Sequence, residues 1–333
     1  MKNKIWFLGM DVSKLTIDFS LIDAMDKVLL KGQFANNKSG ITSLMKSLKK
    51  AGYGNSDSIL FGMENTGLYS NPFKVYAVTK NLDLVVSNAF DIAHSKGIKR
   101  EKSDRADAYL VAQYLRKNLP TIRIYVPDNE SVTKLKRLQT ARQLLLKQKH
   151  QIERHINEMK NFISPKEHII LEKSLNDSIV GLAKSIVKIE KEIDEVIISN
   201  ESIENNRELI ESIPGVSKQT AIALITATNN FDTITDPRKI ACHAGVAPFK
   251  KESGTSMKNV PRVCHLANKR LKVALHMAAL SAVKWCLPIR LFYERKVNEG
   301  KNKMSALNAV RNKILHIFAA LIRKQEKFNF SVN

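Results

Sequence analysis

Three short runs at the start of the chain place the tightest limit on its fold. Residues 4–10 are dominated by apolar side chains, residues 16–22 alternate apolar with polar, and residues 28–34 alternate again. Such runs read as strands, and the polar breaks at 11–14 and 23–27 leave room only for a meander. A helix is predicted over 39–51, where Ile41, Leu44, Met45 and Leu48 fall at helical spacing. A buried strand over 58–63, a helix over 69–80 and a strand over 82–87 follow.

A meander followed by strand–helix alternation describes a mixed α/β sheet. Three antiparallel strands and then a crossover are what an RNase H-like domain requires. From about residue 128 the pattern becomes helical. Leu138, Leu145, Ile152 and Met159 recur every seven residues in a helix over 132–163, with Ile156 and Ile163 on the adjoining position. Beyond Pro165 the series Leu175, Ile179, Leu182, Ile186, Ile189, Ile193 and Val196 steps by four and three, a heptad seam. Two such helices joined near 164–173 make an antiparallel coiled-coil hairpin, which is either an intramolecular pair or also a self-association surface. Residues 205–333 read as mainly helical around a Gly-, Ser-, Lys- and Pro-rich break at 243–261. The expected organisation is α/β plus α, with domains at 1–127, 128–204 and 205–333.

Charge narrows the function. Lys and Arg number 54 against 32 Asp and Glu, a formal net charge of +22. Neutralisation of phosphates by such cations supplies much of the affinity for nucleic acid. No run approaches the roughly 18 apolar residues of a membrane span, so no membrane partner is expected. Cys242, Cys264 and Cys286 are an odd number at wide spacing, which argues against a disulfide framework or a zinc site and for a reducing, cytoplasmic setting.

Against that basic background, a few acids stand at strand and helix ends. The first strand runs into Asp11, and the strand over 59–63 into Glu64, positions where α/β sheets present ligands. Residues 102–108 open a helix running to about 116, and Asp104 and Asp107, three apart, project from one face of its first turn. Asp104 alone reads equally as a helix cap, and Glu64 alone as a surface strand end. Together they form a set of four carboxylates that repel one another unless cations intervene, and all-oxygen ligation favours Mg²⁺ or Mn²⁺. Two such ions suit phosphoryl transfer.

The helical region carries two further signals. Residues 212–221 contain Pro214-Gly215-Val216 between apolar helices, either a plain turn or a helix-hairpin-helix turn whose backbone amides hold a phosphate. Ser217 stands where a second glycine is common in such turns. Downstream, residues 244–256 hold Ser253 before Gly254 in a basic loop, with Ser256 close by. A serine in such a loop is either a turn residue or a nucleophile activated by nearby cations, and on chemistry alone Ser253 and Ser256 are equivalent. Candidate nucleic-acid contacts are Lys102 and Arg105 beside the acids, Lys136, Arg137 and Arg142 on the first long helix, Gly215 and Lys218 at the turn, and Lys250, Lys251 and Lys258 around the serine.

Asp11, Glu64, Asp104 and Asp107, then the Pro-Gly-Val turn, then Gly-Val-Ala-Pro followed by Ser253-Gly254, resemble the DEDD transposases of the insertion-sequence-110 family over essentially the whole chain. The resemblance implies a RuvC-like N-terminal domain, a coiled-coil linker and a C-terminal transposase domain. It implies that the carboxylates bind Mg²⁺ and that Ser253 is the nucleophile, forming a phosphoserine link to DNA, with sites composed from different subunits of a dimer or tetramer. It also implies guidance by a structured noncoding bridge RNA that pairs with target and element-end DNA, which suits a chain with many backbone-type cations and no base-reading module. The alternative chemistry is a metal-dependent junction resolvase or nuclease with no covalent serine step. An exonuclease usually places Asp-x-Glu on the first strand, and Asp11-Val12-Ser13 lacks the Glu. A purely binding protein leaves the four acids without a use.

Overall fold

The computed structural model describes residues 4–94, 104–249, 252–253, 257–258, 262–264 and 267–329. It divides into two compact units, Met1–Pro127 and Asp128–Asn333.

The first unit contains β1 (Trp6–Val12), β2 (Thr16–Ile22), β3 (Val28–Ala35), α1 (Lys38–Lys50), β4 (Ile59–Glu64), α2 (Asn71–Thr79), β5 (Leu84–Ser87), α3 (Ala89–His94) and α4 (Asp104–Lys117). The sheet order is β3-β2-β1-β4-β5. β1, β2 and β3 pair antiparallel, whereas β4 joins β1 and β5 joins β4 in parallel. This is the mixed sheet with helices that the sequence pattern called for. Helix α1 starts at Asn37, whose side chain accepts from the Gly40 amide, and ends with Lys49 and Lys50 at the negative end of the helix dipole.

Period-2 alternation gives the sheet two apolar faces. Leu8, Met10, Ile17, Phe19, Phe61 and Met63 bury one face with Ile41, Leu44 and Phe73 of α1 and α2. Phe7, Ile22, Leu60 and Val85 bury the other with Ala112 and Leu115 of α4. Helix α4 sits unusually close. A Cβ built at Gly9 falls 2.2 Å from the Ala108 carbonyl oxygen and 2.3 Å from the Ala112 amide nitrogen. Only hydrogen fits there.

The second unit holds α5 (Glu130–Met159), α6 (Pro165–Ile198), α7 (Glu201–Glu211), α8 (Lys218–Thr228), α9 (Pro237–His243), four two-residue strands, β6 (Pro248–Phe249), β7 (Glu252–Ser253), β8 (Met257–Lys258) and β9 (Arg262–Val263), and then α10 (Lys269–Trp285), α11 (Leu287–Asn298) and α12 (Lys303–Lys324). Its core gathers Leu135, Ile193, Ile210, Ile225, Leu275 and Phe318. Helices α5 and α6 run antiparallel: Arg142 meets Glu190 near their base, and His168 meets the Ile156 carbonyl near the turn. Val132, Leu135, Ile193 and Val196 at the base are buried in the core, whereas Leu145, Ile152, Leu175, Ile179 and Leu182 toward the turn are only partly covered. Among the described residues no single helix is long and apolar enough to cross a membrane, and the three cysteines are free thiols.

Several boundaries differ from the sequence expectation. Strand β1 extends through Asp11 to Val12, because Asp11 pairs across to Asp18 and the turn tightens only where the Ser13 amide bonds the Thr16 carbonyl. Helix α5 stops at Met159 and the connection is residues 160–164, shorter than and upstream of the expected join at 164–173. The cause is Ser164: its hydroxyl and the Glu167 side chain form a reciprocal capping box, with Pro165 at the first helical position. The break at 243–261 contains short strands, which its turn-rich composition hid.

Gly9→Ala forces α4 off the sheet and should cost about 2–3 kcal/mol. Urea unfolding followed through Trp6, in a Trp285→Phe background, measures it.

Candidate functional site

Strand register assembles the acidic site. The parallel ladder pairs Met10 with Met63, so Asp11 and Glu64, each one residue further on, stand side by side at the C-terminal ends of neighbouring strands. Alternation puts both on the α4 face, the one shared by Phe7, Gly9, Leu60 and Gly62. Helix α4 is anchored at its far end by Arg116, whose guanidinium grips Asp26 in the β2–β3 turn with contacts of 2.6 and 2.8 Å. That polarity aims the first turn of α4, with Asp104, Arg105 and Asp107, toward the strand ends bearing Asp11 and Glu64. Asp11, Glu64 and Asp107 are all partly exposed.

Asp18 belongs to the same face and was not singled out from the sequence. It lies directly across from Asp11 in the antiparallel ladder, is 4 % exposed, and accepts a 2.8 Å hydrogen bond from Gln33. The signal was available: in Thr16–Ile22, alternation sets Asp18 opposite Ile17, Phe19 and Leu21, on the side facing α4. Among the described residues no three His, Cys, Asp or Glu side chains already close into a metal cage. The acids share a face and an end of the sheet, and their donors are carboxylate oxygens, which match hard divalent cations.

Ser253 lies in β7, with Met257 of β8 as its register partner; Glu252 pairs likewise with Lys258. Ser256, Lys250 and Lys251 lie outside the described residues, as does Lys102. The segment leading to this hairpin is firmly held. Gly245 takes a positive φ of 64°, and the Asn308 amide of α12 donates to the Val246 carbonyl at 2.8 Å. Beside Asn308, Arg311 is 7 % exposed and donates to His276 Nδ1 at 2.9 Å. Burial lowers the pKa of both Arg311 and His276, His276 being lowered further by the guanidinium.

The predicted cationic contacts separate into two kinds. Lys136 is tied to Asp128 at 2.5 Å and Arg142 to Glu190 at 2.7 Å. Lys218, at the start of α8, is tied to Asp194 of α6; burial pulls its amine below the ordinary lysine value, with Glu190 opposing. The first is local to the start of α5, the second joins α5 to α6, and the third ties α8 to α6. Arg137, by contrast, is exposed on α5. His243, at the end of α9, is held neutral to lower pH than usual, by burial first and by Lys136 second.

Comparisons with known proteins cover both units. Residues 8–165 match the family model of the DEDD transposases of insertion sequence 110, and residues 207–294 match that of the transposases of the IS116/IS110/IS902 family. The pilin gene-inverting proteins of Moraxella bovis and Moraxella lacunata are each 27% identical over 328 residues, covering 97% of this chain and 97% of their own. The insertion element IS116 44.8 kDa protein of Streptomyces clavuligerus is 26% identical over 160 residues, 47% of this chain and 40% of its own.

The second matched segment includes Gly215, which packs tightly on α10. It adopts φ 88°, and a Cβ there falls 2.8 Å from the backbone of Ser281 and Ala282 in α10. Gly215→Ala should cost about 2 kcal/mol or more from strain and overpacking together. Trp285 fluorescence during urea unfolding, in a Trp6→Phe background, reads the loss.

Proposed function

Because the chain belongs to the transposase family of the insertion elements IS110, IS116 and IS902, and is a DNA transposase or recombinase, we propose that it cuts and rejoins DNA through a covalent serine intermediate on Ser253. The observation that supports its metal-assisted part is the register that sets Asp11 beside Glu64 at the end of the sheet toward which α4 starts, and the serine step rests on the resemblance to the DEDD transposases. Asp11, Glu64, Asp104 and Asp107 would hold the divalent cation of a metal-dependent family, with Mg²⁺ or Mn²⁺ suited to their oxygens. When bound, such a cation offsets charge on the phosphate oxygens and on the attacking and leaving oxygens.

The chain's own residues then have separable tasks. The Ser253 hydroxyl gives up its proton as its Oγ attacks phosphorus. The phosphorus–oxygen bond to the departing deoxyribose breaks, and that oxygen takes up a proton and leaves as a hydroxyl. Attack by another strand's hydroxyl reverses the step, releases Ser253 and rejoins DNA. Bond energy is conserved in the phosphoserine, so rejoining requires no nucleotide triphosphate. Full-length relatives named for inverting a pilin gene support strand exchange over simple cutting. A structured guide RNA and assembly as a dimer or tetramer complete the proposal. The net charge of +22 supports the RNA, since it supplies backbone affinity far beyond what the recognisable elements can use to read bases.

The protein with its co-purifying RNA, Mg²⁺ and element-end DNA should yield a protein–DNA adduct on a denaturing gel, mapping to the Ser253 peptide. Ser253→Ala should abolish the adduct and leave unfolding unchanged. Asp11→Asn and Glu64→Gln should each reduce strand exchange by at least about 100-fold, the scale of losing a transition-state contact. An adduct that persists in Ser253→Ala, or free 5′-phosphate ends formed with no adduct, overturns the serine step in favour of metal-dependent nuclease chemistry.

A further inference from the structure

Within the second unit a concave groove of about 410 Å³ opens between α5, α8 and the start of α10, a size within the range of small-ligand sites. Its floor is apolar and made of small surfaces: Ala223 and Ala227 of α8, with Leu271 and Ala274 of α10. Its walls carry amides from three elements, Gln139 and Gln143 of α5, Gln219 of α8 and Asn268 at the cap of α10. No carboxylate lines it among the described residues.

The amides differ in how they are committed. Asn268 is committed to the helix cap, accepting from the Leu271 amide at 3.1 Å and donating toward the ring of His243 at 3.4 Å. Gln139 is only 8 % exposed, and its carbonyl takes a long 3.5 Å bond from Thr226. A glutamine buried to that degree in the lining of an open groove, with one weak bond, is poised for a ligand that both donates and accepts. The cations of the rim differ too. Lys136 and Arg142 are neutralised by Asp128 and Glu190. Arg270 is exposed at the first turn of α10, donates to the Thr140 hydroxyl at 3.0 Å, and has no carboxylate partner among the described residues. Helix α10 also opens with no acid in its first turn, where the helix dipole favours negative charge.

An apolar lining of small side chains, amides from three elements and an exposed guanidinium with no carboxylate partner among the described residues match the three parts of a nucleotide: base face, base edge and phosphate. We propose that this groove binds a single unpaired nucleotide, the base lying on Ala223, Ala227 and Ala274, its edge on Gln139, Gln143 and Gln219, and its phosphate on Arg270. A base stacked inside a duplex cannot enter a concave site, so the ligand is a single-stranded or looped segment. The proposal rests on the nucleic-acid reading above and deepens it: it makes this surface a reader of base identity and not only of backbone charge.

The test uses the full chain and fluorescence anisotropy with labelled 12-nucleotide homopolymers, as RNA and as DNA, and with a 12-base-pair duplex. The wild type should bind single strands with affinities that differ among bases. Gln143→Ala with Gln219→Ala should shrink that difference by at least about fivefold, the scale of a lost base contact. Arg270→Ala should weaken every single strand about tenfold, as for one charged hydrogen bond, and reduce the salt slope by about 0.7. Preference for the RNA series assigns the groove to a guide or transcript, and preference for the DNA series to a displaced strand; either supports the groove. Base discrimination unchanged in the glutamine variant, or duplex competing equally with single strands, overturns the groove and leaves the recombinase reading intact. Failure of the wild type to bind any of the single strands overturns the groove too, and the recombinase reading is then judged by the adduct on Ser253 alone.

Discussion

The seating of α4 on β1 is the contact on which the acidic site depends. Gly9 has no Cβ, so the helix backbone descends onto the strand at Ala108 and Ala112, and the Leu115 side chain fills the space over Gly62 on the neighbouring strand. The two glycines are register partners, which makes one shallow trough across β1 and β4. The Arg116–Asp26 ion pair fixes the helix end-on, with both side chains mostly shielded. Two residues beyond the trough on each strand come Asp11 and Glu64. A larger residue at Gly9, where the obstacle is helix backbone, lifts α4 and separates its first turn from these acids, so packing and chemistry share one constraint.

Charge in the second unit serves two purposes that composition cannot separate. Lys136, Arg142 and Lys218 brace the base of the α5–α6 pair through Asp128, Glu190 and Asp194. Partly exposed ion pairs of this kind are individually weak, yet they orient the long helices where Val132, Leu135, Ile193 and Val196 enter the core. Arg137 and Arg270 remain at the surface. The count of 54 Lys and Arg therefore overstates the number of cations available to phosphate, and the net charge of +22 is the fairer measure.

Polar groups packed behind Val246 make a second support. Arg311 reaches His276, Asn308 holds the Val246 carbonyl, and Arg311 Nε has no hydrogen-bond partner among the described residues. Burying a guanidinium is costly, and here its hydrogen bonds tie α10 and α12 to each other just behind the turn from which β6 and β7 depart.

The local features of this chain were legible in its residues because they obey short-range rules. The meander, the alternation of strands and helices, and the heptad steps of Leu175 to Val196 follow from where apolar side chains recur. The strand ends at Asp11 and Glu64 were visible for the same reason, and net charge pointed to a polyanion. Asp18 escaped notice, though its place in the alternation was readable, because its meaning comes from the residue across the ladder. Tertiary structure alone decided that Asp11, Asp18 and Glu64 share a face, that three candidate cations are paired with carboxylates, that Gly215 packs on α10, and that amides from α5, α8 and α10 converge on one groove. Register, helix seating and ion pairing join residues tens to more than a hundred positions apart, and periodicity in a sequence carries no record of such distances.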